Sequence, residues 1–145
     1  MESIRPARIE DAAEIAKLTT QLGYPIETDA TRGLLEYLIQ NDDHEVLVFD
    51  AGRVMAWAGL AIHHGLASEP FAELAGLVVD EDCRSQGIGT QLLVAAEDWA
   101  RRRSLPSFRV RTNMVRADAH RFYERLGYSR VKEQRVYEKK IMVDV

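Results

Sequence analysis

The spacing of apolar and polar residues changes several times along the chain, and each change marks an element. Residues 4–9 read as a short first strand. Glu10 and Asp11 then open a helix, because carboxylates suit the positive end of its dipole, and Ile15, Leu18 and Leu22 fall on one helical face. Gly23 and Pro25 end it. Thr28 is placed to cap a second helix running to about Gln40, with Leu34, Leu35 and Leu38 facing inward, although Gly33 weakens it. The period then shortens. Residues 46–49, a turn at 50–53 and residues 54–62 read as a β-hairpin. Residues 71–79 are another strand, whose Gly76 suits a bulge or a close approach. A long helix follows over 87–103, with Ile88, Leu92, Ala95, Ala96 and Trp99 on its inner face. Residues 107–112 predict a strand, and residues 117–126 a helix stopped by Gly127. Residues 128–130 and 135–141 predict closing strands. The order β-α-α-β-β-β-α-β-α-β-β specifies a mixed α/β sheet.

Composition adds limits. A chain of 145 residues, 46% hydrophobic and without repeat, linker or low-complexity tract, is expected to form one domain over residues 1–145. Its single cysteine, Cys83, excludes an intrachain disulfide and a multi-cysteine zinc site. No apolar run approaches the ~20 residues that span a bilayer, and the N-terminal residues lack an apolar signal core. A cytoplasmic protein without membrane association is the expectation. The net charge of −4 argues against nucleic-acid wrapping. Its distribution is uneven: residues 1–100 hold 6 basic and 18 acidic side chains, residues 101–145 hold 13 and 5. Two solvated faces account for this as well as ligand fields do.

The most informative segment is Arg84-Ser-Gln-Gly-Ile-Gly-Thr90, between a strand and a helix. Glycines let the backbone turn tightly and present N–H groups, and the first amides of a helix have no internal partner. An anion, naturally a phosphate or pyrophosphate, suits such a place. A P-loop would need a Lys after Gly89, and a dinucleotide fingerprint would need a small residue where Leu92 stands and an acidic one near residues 107–111. Both rivals, including an NAD enzyme, fail at those positions. A bare Gly-x-Gly turn more often binds nothing.

The rest of the chain changes the balance. Arg84-x-x-Gly87-x-Gly89, with Asn113 and Ala119-x-x-Phe122-Tyr123-x-x-x-Gly127-Tyr128 downstream, resembles the two motifs of the GNAT superfamily of acyl-CoA N-acyltransferases. The resemblance extends over the whole chain, including the opening Ile-Arg-Pro-Ala and the order of elements. It implies a central mixed, mostly antiparallel sheet with helices on both faces. It also implies acetyl-CoA as co-substrate, with no metal, lying between two strands that splay apart at 71–79 and 107–112. Leu77, Val78 and Val79 match positions whose backbone pairs with the pantetheine arm. Arg84, Ser85, Gln86, Gly87, Ile88, Gly89 and Thr90 match the pyrophosphate loop, and Asn113 matches a position that supports the cofactor or the splayed strand. The second partner implied is a primary amine, attacking directly in a ternary complex.

Acyl transfer to an amine requires the ammonium to lose a proton, the thioester oxygen to be stabilised, and the departing thiolate to be protonated. Tyr123 matches the family's usual tyrosine acid at the cofactor sulfur; a phenol pKa near ~10 against ~8.5 for a thiol makes donation to a thiolate downhill. Glu73, the lone carboxylate on an apolar strand, is the candidate base, direct or relayed by water, with a solvent-facing or salt-bridged residue as the alternative. The amide near Leu77 fits the oxyanion donor of the family pattern. His63 and His64 are adjacent and so point to opposite strand faces; His44 and His120 look like surface residues, and Cys83 looks structural. Residues 22–31, with Tyr24, Glu27 and Asp29, match the acceptor wall. The acceptor expected is a small cationic amine or a lysine-like protein amine, drawn by the acidic N-terminal portion. A non-catalytic acyl-CoA-binding regulatory domain is the alternative. The sequence allows a homodimer through residues 135–141, while Lys139 and Lys140 equally suit an edge guarded against pairing.

Overall fold

Segments rich in Val, Ile, Leu, Ala and Phe produce five strands in one sheet of order β1-β2-β3-β4-β5. The computed structural model describes residues 2–111 and 117–142. The strands are β1 (Ser3–Pro6), β2 (His44–Asp50), β3 (Val54–His63), β4 (Phe71–Val79) and β5 (Phe108–Val110). The first four pair antiparallel in sequence; β5 joins β4 parallel. The helices are α1 (Ala12–Gln21), α2 (Thr28–Ile39), α3 (Ile88–Arg102) and α4 (Ala117–Arg125). Residues 1–111 form one compact unit, a mixed, mostly antiparallel sheet with α1, α2 and α3 packed on it, and residues 112–145 form a second.

The pleat sorts the core. Val46 and Val48 of β2 join Ile15 and Leu18 of α1 and Leu35 of α2 in one apolar cluster. The alternate residues, Leu47 and Phe49, are equally buried, as are Ile88, Leu92, Leu93, Ala96 and Trp99 of α3. A one-residue slip would reverse both faces, so burial on each side fixes the register. The chain enters α1 through a 3-10 turn at Ile9–Asp11. There the buried Asp11 takes both Nη groups of Arg5, at 2.8 and 2.9 Å, and the Arg8 N–H at 2.8 Å. Arg5 also reaches Asp50, tying β1 to the end of β2.

Three local expectations are corrected. Helix α2 has Glu27 at its N-cap, with Thr28 already helical and its cap unbonded by any side chain. Its inner face is Thr31, Leu35 and Leu38, and Leu34 is 54% exposed. Residues 31, 35 and 38 form the centre of the helical stripe, whereas 34 lies at its edge and stays in solvent. The closing strands expected at 128–130 and 135–141 are not formed: residues 128–142 belong to no strand, and Val136, Tyr137 and Ile141 stay exposed. A β-pattern makes a strand only where another strand accepts its hydrogen bonds, and none of the described residues does.

Candidate functional site

Strand β4 carries a break that re-aims its second half. Gly59 of β3 faces Gly76, yet the next β3 residue, Leu60, faces Leu74, leaving Ala75 as the extra, exposed residue of a bulge. Gly76 is there because the Trp57 ring lies over it. A Cβ at position 76 would sit 2.8 and 2.9 Å from Trp57 Cη2 and Cζ3. The Trp57 Nε1–H is buried and has no acceptor among the described residues. Pairing of β4 with β5 runs through Ala72–Phe108, Glu73–Arg109 and Leu74–Val110, then stops. Residues 75–79 therefore continue beyond the last β5 pair with their backbone edge unladdered on that side among the described residues. Leu77, Val78 and Val79 occupy that stretch, held from behind by Ala58, Trp57 and Ala56 of β3.

The same strand runs into the glycine loop through a tightly pinned turn. Buried Asp80 accepts the Asp82 N–H at 3.0 Å and an Arg53 Nη at 2.9 Å. That guanidinium hydrogen bond holds the Asp80 carboxyl below the usual carboxylate range and raises Arg53 in turn. A 3-10 turn at Glu81–Cys83 follows, its first amide bonded to Gln21 of α1 at 3.1 Å. Cys83 is buried 3.6 Å from the Arg53 guanidinium. Arg84, Ser85, Gln86 and Gly87 are then exposed. Ser85 and Gly87 take φ of 67° and 79°, a left-handed pair of positions that glycine tolerates and serine occupies at a cost. Gly87 caps α3, and no atom lies within 4 Å of where its Cβ would stand. The first helical bond runs from Gln91 N–H to Gly87 O, at 3.1 Å, so the amides of Ile88, Gly89 and Thr90 precede the ladder. Gly89 and Thr90 are half-buried, and Ile88 turns its side chain into the core. Acidic residues are absent from this first turn, leaving the helix dipole without a carboxylate there.

Glu73 lies on β4 before the bulge, with its side chain 10% exposed. Its Oε2 accepts the Arg111 Nε–H at 2.8 Å and lies 3.5 Å from His63 Nε2. His63 stacks on Phe71 (5.0 Å, 20°), and Arg109 places its guanidinium carbon 3.9 Å from the centre of the same ring. Sequence reasoning singled out Glu73 but missed Arg109 and Arg111 as its neighbours. Their strand partners became evident only with the parallel β4–β5 register. The two adjacent histidines do diverge: His64 instead approaches Asp43, at 3.4 Å. His44 and His120 are half-buried rather than fully at the surface.

Tyr123 belongs to α4 in the second unit. Its ring meets Phe122 and Tyr128 edge-on, at 5.1 and 5.9 Å, and its carbonyl accepts the Tyr128 N–H at 3.1 Å. Gly127, at φ 92°, ends that helix as expected. Asn113 lies outside the described residues. In the first unit, residues of the expected acceptor wall border an open groove of about 610 Å³, lined by Lys17, Thr20, Gln21, Ile26, Glu27 and Glu81. Among the described residues no group of His, Cys, Asp and Glu is arranged to hold a metal ion, and no helix is long and apolar enough to cross a membrane.

A bulged strand whose edge is unladdered among the described residues thus leads into an amide-presenting glycine turn. The chain belongs to the acetyltransferase (GNAT) family, whose model matches residues 9–128. It is 34% identical over 131 residues to the aminoalkylphosphonate N-acetyltransferase of Salmonella typhimurium LT2, covering 86% of this chain and 83% of that protein. It is 27% identical over 122 residues to the uncharacterized N-acetyltransferase YhdJ of Bacillus subtilis 168, covering 83% and 86%. Among solved structures, the aminoglycoside N-acetyltransferase AAC(6')-Iy in complex with CoA shares the fold, with a TM-score of 0.87 at 21% identity, covering 97% of this chain and 95% of that one.

Proposed function

We propose that the protein is a single-domain, cytoplasmic N-acetyltransferase that moves the acetyl group of acetyl-CoA to a primary amine in a ternary complex. The observation that carries this reading is the continuity of the β4 edge, unladdered among the described residues, with the glycine turn. An extended pantetheine arm would add to the backbone of Leu77, Val78 and Val79 as an extra strand does. The pyrophosphate would then reach Arg84, Ser85, Gln86, Gly87, Ile88, Gly89 and Thr90. The amides of the helix end meet it there without a Cβ at position 87. Asn113 would support the same ligand. The relatives named as N-acetyltransferases support the reaction class.

The chemistry divides between two residues. Glu73 takes the proton of the acceptor ammonium, directly or through a water, while the amide near Leu77 faces the developing oxyanion. The amine nitrogen attacks the thioester carbon; the C–S bond breaks as the C–N bond forms. Tyr123 supplies the proton to the departing thiolate, and the proton that the acylated nitrogen sheds restores the phenol. The acceptor is a small cationic amine or a lysine-like side chain, and the aminoalkylphosphonate relative supports a small amine-bearing molecule. The test is release of CoA from acetyl-CoA across a panel of amines, with thermal-shift titration of acetyl-CoA beside it. Stabilisation by acetyl-CoA together with turnover supports the enzyme. Stabilisation with no turnover of any amine supports the non-catalytic acyl-CoA-binding domain. Turnover of neutral or anionic acceptors alone overturns the cationic acceptor.

A further inference from the structure

We infer that Arg109, seconded by Arg111, binds an anionic head on the acceptor, so that the substrate is a small aminoalkyl compound bearing a phosphonate, phosphate or carboxylate group. This rests on the amine-acetylation reading and revises its acceptor from a net cation to an amine that also carries an anionic head.

The face of the sheet that carries Glu73 is not simply acidic. Arg109 is the β5 register partner of Glu73, and Arg111 donates to its carboxylate, so two arginines share this stretch of the sheet with one glutamate. Arg111 answers the Glu73 charge. Arg109 has no carboxylate of the described residues within ion-pair distance; its contact is the Phe71 ring, 3.9 Å away. A ring gives a guanidinium no oxygen acceptor, so its N–H donors can still meet an oxyanion. Phe71 is a firm support, 7% exposed and stacked against His63. The cation–π contact thus anchors the Arg109 guanidinium beside Phe71. Glu73 and Arg109 are register partners on neighbouring strands, which suits one small molecule that carries both an amine and an oxyanion. A simple alkylamine or polyamine would leave the excess positive charge unanswered and would be repelled by it.

The experiment compares 2-aminoethylphosphonate, β-alanine and ethylamine, by acetylation rate and by calorimetric binding to the CoA-bound protein. The expected result is a preference of at least about tenfold in kcat/KM, carried by KM, for the anion-bearing amines over ethylamine, as a charge-assisted hydrogen bond provides. Comparison of 2-aminoethylphosphonate with β-alanine identifies the head. Arg109→Gln is expected to remove most of that preference, and Arg109→Lys to restore part of it. Equal kcat/KM for ethylamine and its anion-bearing analogues, or a preference untouched by Arg109→Gln, overturns the inference while leaving acetyl transfer intact. Anion-dependent binding that Arg109→Gln removes, with no amine acetylated, sustains the anion site and overturns the transfer reading instead.

Discussion

Gly76→Ala tests the packing that shapes the bulge. The added Cβ would stand 2.8 and 2.9 Å from two carbons of the Trp57 ring, whereas ordinary contact begins near 3.4 Å. Trp57 is packed against the apolar cluster between the sheet and α1 and α2, so the ring has little room to retreat. Overpacking of this kind costs about 1–3 kcal/mol. That is a sizeable part of the about 5–15 kcal/mol that holds an ordinary domain folded. For a chain of this length it corresponds to a fall in Tm of about 3–10 °C. Gly59→Ala is the internal control. Its Cβ would meet Trp57 Cζ3 at 3.3 Å, a misfit that a shift of a few tenths of an ångström relieves, so its cost should be under about 1 kcal/mol. Urea denaturation and thermal melts of both variants give the comparison. Trp57→Leu shortens the opposing side chain, and in that background the penalty of Gly76→Ala should shrink markedly; the double-mutant cycle isolates the contact. Equal stabilities for the Gly76→Ala and Gly59→Ala proteins, or an undiminished penalty in the Trp57→Leu background, would refute the role assigned to the indole.

Tyr123→Phe should lower kcat by about 100-fold if the phenol protonates the thiolate, while acetyl-CoA still raises Tm; unchanged kcat removes the tyrosine from the chemistry. Gly87→Ala should cost about 1 kcal/mol from its left-handed backbone alone, since nothing crowds the position, and should weaken the thermal shift given by acetyl-CoA. Asp11→Asn should cost about 1–3 kcal/mol in urea melts by loosening the bonds from Arg5 and Arg8. Hydrogen bonding to Arg5 lowers the pKa of Asp11, and hydrogen bonding to Arg53 lowers that of Asp80, both from an ordinary 3.8. Native carboxyls that bind protons less readily than unfolded ones contribute stability above about pH 4, and lose it as pH falls through the lower native values. Tm should therefore decline on acidification below about pH 4, and less steeply in Asp11→Asn; a parallel decline in both proteins would contradict the assignment.

The glycine turn and α3 were legible in the sequence because they depend on neighbours in the chain. Gly87 adopts φ 79° for a reason its missing Cβ supplies, and the apolar stripe from Ile88 to Trp99 follows from one helical period. The β2–β3 hairpin was legible for the same reason, its turn chemistry and alternation being local. Gly76 announced a bulge, but not the indole that demands it: Trp57 stands well upstream in the chain and reaches it only across the β3–β4 pair. The grouping around Glu73 was out of reach because Arg109 and Arg111 lie far from it in sequence, and His63, on the preceding strand, meets it only through the β3–β4 register.

The chain by itself determined which segments curl or extend and where a backbone could receive an anion, since steric freedom and apolar period act within a few residues. Tertiary structure decided which extended segments became strands and which charges became neighbours. Residues 135–141 have a strand's composition but no hydrogen-bond partner among the described residues, whereas β5 is held by three pairs with β4. Sheet bonding and ion pairing are contacts between distant parts of the chain, and their partners are chosen only when the whole core excludes water.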